Sequence, residues 1–474
     1  MTIKVPDVKG VGMSEGLAEV LAARLHQLWG TPVEVTGLRQ LSGGASREAW
    51  DIEADGAGRG TSHLILLRNA ADRNPDAALL NKNIEVEAAA MIAARRAGVP
   101  APELHDHGDG ALGQAYLLME RLDGETIPRR LLRDQTYAEA RPGLAHRFGE
   151  VLARIHQVNP DHIPGLPPVD ALGQLKKLYQ AFAEPRPALE IGLRWLDEHQ
   201  PELAKDTLVH GDFRTGNLMI DPDGLTGVLD WELTHRGDPR QDLGWLCTKA
   251  WRFGSPHPVG GFGARDDLMA GYAAGGGTPP DEETQRWWEL YGTIRWGLLC
   301  RRQAERYLAE AEPSIELAVL GRRVCEQEWD ILLALGYAAP RTVPDPLDDA
   351  GQLDEDALAK PVRPHDRPYG PELLRAVRGF LPAQAGADAR TRFLTRVADN
   401  ALKIAEREAR LAPAHEQRHR QRLAALGVSD DAALCAAIRD GSLDHRFADV
   451  TRAVRDMTVD KLTVANPRHL AIPG

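Results

Sequence analysis

LVHGDFRTGNLMIDPDGLTGVLDWE, residues 208–232, is the stretch whose reading decides the fold. A short apolar run leads into His210, Gly211 and Asp212, and Asn217 follows five residues after Asp212. A strand is expected over residues 218–220, then a turn at Asp221-Pro222-Asp223-Gly224, then a second apolar run over 225–229 that ends in Asp230. Loop, strand, tight turn and strand in that order bring Asp212, Asn217 and Asp230 to one end of a hairpin.

Two carboxylates and a carboxamide so placed suit phosphoryl transfer from ATP. That reaction needs a group to orient the attacking hydroxyl, and oxygen ligands to hold Mg²⁺ on the phosphates. Asp212 fits the first role, and Asn217 with Asp230 the second. The bland reading, a polar turn between two strands whose side chains only satisfy backbone groups, explains the residue types but not their spacing.

The Asp212-to-Asn217 spacing is that of the protein-kinase catalytic loop, with Gly211 where that loop has arginine and Asp230-Trp231-Glu232 where it has D-F-G. In those departures the chain resembles the aminoglycoside phosphotransferase family of small-molecule kinases, whose pattern is H-G-D-x-x-x-x-N followed by D-W-E or a similar triplet. The resemblance covers about residues 30–335. It implies an α+β, bilobal protein-kinase-like fold with a small β-rich N-lobe and a larger helical C-lobe. It also implies ATP and Mg²⁺ in the cleft and a small-molecule hydroxyl acceptor.

Upstream, helix periodicity covers 14–29, and strands are expected over 33–41, 48–53 and 64–67. Between the first two strands lies Ser42-Gly43-Gly44-Ala45-Ser46, where glycine lets backbone amides approach phosphate oxygens. A Gly-Gly hairpin turn without a ligand is the commoner meaning of such a pair; its place upstream of the Asp212 loop favours nucleotide. Arg68 ends the third strand where the kinase pattern has lysine, and Glu87 on the next helix, 75–97, is its expected ion-pair partner. The apolar strand at 116–120 leads to Glu120, Arg121 and Leu122, which the resemblance makes the adenine contacts. Downstream, Asp242 in Asp242-Leu243-Gly244 reads as a brace for the catalytic loop. Trp287, Tyr291, Ile294 and Leu298 share one helical face, so core packing is their expected use.

Arg68 and the Asp212-Phe213-Arg214 variant also resemble the kinase-like domains fused to acyl-CoA dehydrogenases, which implies a hydroxyacyl-CoA acceptor. Choline-, sugar- and aminoglycoside-type acceptors stay open. So does a nucleotide-binding pseudokinase acting as a scaffold, which the arginine at 68 motivates.

The organisation expected is an N-lobe over 1–123, a C-lobe over 124–338, a Pro/Asp-rich linker over 339–368 and a separate all-α bundle over 369–474. The bundle carries no metal spacing, phosphate loop or nucleophile constellation. It reads as a docking or oligomerisation module, for a second copy of the chain or a protein partner. With 57 Lys+Arg against 69 Asp+Glu, nucleic acid and anionic membrane are not the expected partners. Cys247, Cys300, Cys325 and Cys435 lack metal-ligand spacing and read as free thiols. No run is long enough to span a bilayer, so a cytoplasmic protein is the expectation.

Overall fold

The structure is a computed structural model, and it describes residues 11–41, 47–69, 83–348, 365–366, 368–380 and 389–473. The chain divides into two compact units, one of residues 1–169, 203–247 and 251–281, the other of residues 170–202, 248–250 and 282–474.

The first unit opens with helix α1 (Val11–Trp29) and strands β1 (Val33–Leu41), β2 (Arg47–Gly56) and β3 (Gly60–Asn69), followed by α2 (Ile84–Arg96), β4 (Leu104–Asp109) and β5 (Ala115–Glu120). The strands form one antiparallel sheet in the order β1-β2-β3-β5-β4. Period-two alternation gives the sheet two apolar faces. Trp50, Ile52, Leu64, Leu66 and Leu118 bury with Leu17, Leu21 and Leu25 of α1. Ile65, Leu67, Leu117 and Met119 pack instead with Met91 and Ala94 of α2. β2 and β3 run longer than their apolar cores suggested, because ladder pairing continues to Gly56 opposite Gly60. β4 carries no apolar alternation in its sequence, LHDHGD; pairing with β5 and the Arg24–Asp106 ion pair hold it as the sheet edge.

The rest of this unit comprises α3 (Pro128–Arg133), α4 (Arg141–His156), β6 (Thr207–Val209), β7 (Leu218–Asp221), β8 (Gly224–Val228), β9 (His235–Gly237), α7 (Arg240–Cys247) and α8 (Arg265–Ala274), with α5 (Ala171–Phe182) and α6 (Pro187–Glu198) belonging to the other unit. β6 pairs with β9, and β7 with β8 as the expected hairpin. Helices α4 and α8 cross at Gly149 and Gly271, where an added Cβ would lie 2.1 Å from the Leu268 carbonyl and 1.9 Å from that of His146. Only glycine permits that approach. A five-stranded antiparallel sheet followed by helices and the short β7–β8 hairpin is the α+β, kinase-like arrangement expected.

The second unit is helical: α5 (Ala171–Phe182), α6 (Pro187–Glu198), α9 (Glu282–Leu308), α10 (Ile315–Leu320), α11 (Val324–Ala334), α12 (Gly370–Phe380), α13 (Ala389–Leu426), α14 (Asp431–Asp440) and α15 (Phe447–Ala465). Trp287, Trp288, Tyr291, Ile294 and Leu298 are buried against Leu189, Leu193 and Leu196, which is the packing use expected of them. Ala188, Ile191 and Leu332 share a core with Leu423, Leu434, Ile438, Val450, Val454 and Met457. The contact division therefore does not fall at 338/369, because the C-terminal helices complete an apolar face of α6 and α11. The ends of the proline-rich stretch are fastened as well: Asp345 takes two bonds from Arg407, and Asp366 takes one from Arg186. Residues 349–364 lie outside the described residues. On α13, Ala401 and Ile404 are buried, whereas Phe393 is exposed with Arg390 over its ring. No described helix is long and apolar enough to cross a membrane, and the four cysteines are free and buried.

Candidate active site

The loop after β6 is held from below by one buried carboxylate. Asp242, at the start of α7, accepts the backbone N–H of His210 at 2.8 Å and of Gly211 at 2.9 Å, and lies 3.2 Å from His156 Nε2. Burial alone would raise the pKa of Asp242; the His156 hydrogen bond and charge, with His210, hold it below the usual carboxylate range. His210 is fully buried, and burial pushes its pKa down, so it works as a neutral ring. Its Nδ1 accepts from the Asp212 N–H at 3.1 Å, and its Nε2 faces the Leu229 carbonyl at 3.1 Å. His210 thus ties the two halves of the motif together, with Trp231 packed against its ring.

Gly211 explains the H-G-D pattern. Its φ is +81°, and an added Cβ would sit 2.4 Å from the Leu233 carbonyl oxygen. A side chain there meets both left-handed strain and rigid backbone. Gly211→Ala is expected to cost about 2 kcal/mol or more in unfolding free energy, read by denaturant titration, and to lower turnover.

The loop delivers Asp212 into a dense set of donors. Its Oδ1 accepts from Trp245 Nε1 at 2.8 Å, its Oδ2 from Asn217 Nδ2 at 2.6 Å, and Arg214 Nε lies 3.0 and 3.2 Å from the two oxygens. Arg214 in turn stacks over Trp251 at 4.6 Å. Asn217 donates also to the Asp212 carbonyl, and the Leu229 N–H donates to the Asn217 carbonyl at 2.8 Å, so β7 and the approach to Asp230 are stitched to the loop. Asp212, Asn217 and Asp230 are therefore neighbours.

Asp230 has a left-handed backbone, φ +64°, which an aspartate adopts at a cost and which is a recurrent feature of functional sites. Its side chain reaches solvent, yet it stands in a dense protein surround. That burial and the charges of Glu232, Asp212 and Glu87 push its pKa up, to about 8. The three carboxylates are the surer cause, since the group remains open to water. A carboxyl whose pKa is raised in the fold keeps its proton there after the unfolded chain has lost it. Stability of the nucleotide-free protein is thus expected to fall as pH rises between about 4, the unfolded value, and about 8. Thermal melts across that range check this; Asp230→Asn should flatten the profile, and an unchanged profile in that variant contradicts the assignment.

The expected Arg68–Glu87 pair is not formed. Arg68 donates to Glu48 Oε2 at 2.7 and 3.2 Å and to the Leu112 carbonyl. The reason is strand parity: Arg68 shares its face of β3 with Leu64 and Leu66, the face covered by α1, whereas α2 covers the other. Glu87 takes instead Arg47, which grips it with two nitrogens at 2.9 and 2.6 Å. Both are buried, at 8% and 3% exposure. Burial would lower the Arg47 pKa, but Glu87, Glu232 and Asp230 raise it, which also places Arg47 within the field of the Asp230 end of the motif. Arg47 was missed because it follows the glycine stretch on β2; its register opposite Asn69, one residue beyond Arg68, is the signal that distinguishes the two arginines. Trp245 carries no motif signal of its own in the sequence, and Arg214 enters only through the Asp212-Phe213-Arg214 variant.

Ser42, Gly43, Gly44, Ala45 and Ser46 lie outside the described residues. At the end of β5, the Glu120 carboxylate accepts the Glu103 N–H at 2.8 Å, the Arg121 N–H bonds to the His63 carbonyl at 3.0 Å, and Leu122 packs against β8 at Gly227. The peptide N–H and C=O of Leu122 make no hydrogen bond among the described residues, so they remain as edge donor and acceptor.

The model of a phosphotransferase enzyme family matches residues 37–278, and that of a domain of unknown function (DUF6285) matches residues 385–469. Acyl-CoA dehydrogenase family member 10 of Mus musculus is 27% identical over 341 residues, 64% of this chain and 30% of the relative. Acyl-CoA dehydrogenase family member 11 of Homo sapiens is 30% identical over 256 residues, 48% of this chain and 31% of the relative. The chain thus spans about a third of the length of these curated relatives. A crystal structure of a putative aminoglycoside phosphotransferase from Ralstonia eutropha JMP134 has a TM-score of 0.53 and 22% identity, covering 67% of this chain and 98% of that one; it shares the fold. With just over half its residues inside the matched model, and the Asp212, Asn217 and Asp230 constellation within that half, the chain belongs to the phosphotransferase enzyme family.

Proposed function

We propose that this chain transfers the γ-phosphoryl group of ATP to a hydroxyl of a small molecule, with a hydroxyacyl-CoA as the leading acceptor. The observation that carries the reading is the convergence of Asp212, Asn217 and Asp230, tied by the Asn217–Asp212 and Leu229–Asn217 hydrogen bonds. Phosphoryl transfer asks the protein mainly for positioning and charge stabilisation, which suits a carboxylate already surrounded by donors. Asp212 orients the acceptor alcohol and receives its proton at a carboxylate oxygen. Trp245, Asn217 and Arg214 fix the plane of that carboxylate.

Mg²⁺ fits the donor set. Asn217 turns its nitrogen to Asp212, and its carboxamide oxygen has no hydrogen bond among the described residues. Asp230 stands among carboxylates that favour a cation beside it. One carboxylate and one amide oxygen with substrate phosphates is how that hard cation is commonly held. When bound, it supplies neutralisation of the charge on the phosphates. Arg47, held by Glu87, adds a fixed positive charge on the Asp230 side, and the Leu122 peptide offers adenine a donor and an acceptor. Ser42 to Ser46 complete the phosphate side in this reading.

The hydroxyacyl-CoA assignment rests on the likeness to the acyl-CoA dehydrogenase family members. Against the scaffold reading stands Arg47, a cation paired with Glu87 on the α2 face of the sheet. Ranking kcat/KM for hydroxyacyl-CoA thioesters, choline, sugars and an aminoglycoside tests the acceptor class. A hydroxyacyl-CoA at the head of that ranking is the result expected, and a cationic or sugar acceptor at its head would remove it.

A further inference from the structure

The loop after α7 touches the 210–217 loop and also lines a cavity. Trp251 stacks under Arg214, and Thr215 Oγ donates to the Gly260 carbonyl at 2.8 Å. Two residues beyond Trp251, Phe253 holds a left-handed backbone, φ +48°, and is 41% exposed. A bulky aromatic in that conformation is strained, and exposure returns nothing for it; such strain collects at ligand clamps. The loop keeps its shape through Ser255 Oγ, which donates to the Gly261 carbonyl at 2.7 Å.

Phe253 stands at the wall of a cavity of about 600 Å³, within the usual range for small-molecule sites. Leu132, Phe253 and Phe262 supply an apolar lining, and Arg133, Arg141 and His257 supply the polar one. Among the described residues, no carboxylate lines it. Arg141 is bonded to the carbonyls of Leu131 and Asp134, and neither Arg141 nor Arg133 makes an ion pair among the described residues. In a chain of net charge −12, this is a local reversal of sign. Such a site attracts anions and repels polycations.

We propose that this cavity holds the body of the phosphoryl acceptor and selects an amphipathic anion, an apolar chain or ring that carries phosphate or carboxylate groups away from its alcohol. The inference rests on the phosphoryl-transfer reading above and adds to it the place and the chemistry of acceptor recognition. Phe253 packs on the apolar part, and Arg133 and Arg141 face the anionic part. An aminoglycoside, as a polycation, is disfavoured there.

The test is equilibrium binding, with the nucleotide site saturated by a non-hydrolysable ATP analogue. The probes are 3-hydroxybutyryl-CoA, its uncharged N-acetylcysteamine thioester, and kanamycin. Wild-type protein is expected to bind the CoA ester at least about ten-fold more tightly than the neutral thioester and to bind kanamycin least. Arg133→Glu should remove most of that ten-fold preference, and Arg133→Ala about half of it on a logarithmic scale. Phe253→Asn, which tolerates the left-handed backbone, should weaken both thioesters by roughly three- to ten-fold. Melting curves and nucleotide affinity report whether each variant is folded. A preference unaltered by Arg133→Glu, equal wild-type affinity for the two thioesters, or tightest binding of kanamycin overturns the assignment. Turnover of the CoA ester with a preference insensitive to residue 133 sinks the cavity alone. Binding that depends on Arg133, without phosphoryl transfer to any alcohol, sinks the parent reading instead.

Discussion

Asp212→Asn is expected to lower kcat by about two to four orders of magnitude while nucleotide affinity persists, the range usual for loss of a positioned acid–base group. The substitution keeps the shape but alters the hydrogen-bond inventory. Asp212 accepts from Trp245, Asn217 and Arg214 at once, whereas an asparagine has one accepting oxygen and a nitrogen that must donate. Its nitrogen would face either the Asn217 carboxamide nitrogen or the Trp245 indole N–H, and neither can accept. The alcohol then meets no oxygen able to take its proton. Steady-state turnover, with calorimetric titration of nucleotide, checks both halves; an unchanged kcat removes Asp212 from its role.

Arg47→Met is expected to be the most destabilising single change in the sheet region, about 3–5 kcal/mol by denaturant titration. It takes from Glu87 both nitrogens of a buried bidentate grip. A charge whose pair is removed in low dielectric keeps its desolvation cost and loses the attraction that offset it. Replacing both partners removes the cost as well, so Arg47→Met with Glu87→Met should recover much of the stability. Turnover should not recover, because the cation near Asp230 is gone. Arg68→Met is the control: its pair with Glu48 is 16% and 27% exposed, and a cost below about 1 kcal/mol is expected. If Arg68→Met proved the costlier change, the placement of the two arginines would be wrong.

What the sequence disclosed and what it withheld follow from the range of the interactions involved. The hairpin of residues 208–232 was legible because its information is local: Gly211 must be glycine within its own turn, and Asn217 reaches Asp212 across five residues. Asp242 was legible as a brace from its place in the motif, though its three partners come from residues 156, 210 and 211. The arginine that pairs Glu87 was not legible. That depends on which face of β3 points toward α2, and the choice is fixed by Leu17, Leu21 and Leu25 burying on the opposite face. The edge strand β4 has no apolar signature, since its stability comes from β5 and from Arg24. The division into units escaped detection because α6 and α11 present apolar faces that distant residues such as Leu434 and Val450 cover.

We propose that Asp212, Asn217 and Asp230 form a phosphoryl-transfer centre for an alcohol. The most direct measurement follows label from γ-labelled ATP in the presence of Mg²⁺ and a hydroxyacyl-CoA, with the Asp212→Asn variant alongside. Labelled acceptor phosphorylated at its hydroxyl, formed by the wild-type chain and nearly absent with the variant, is the result predicted. Bound nucleotide with no label on any alcohol in an acceptor panel, or equal label with both proteins, would contradict it.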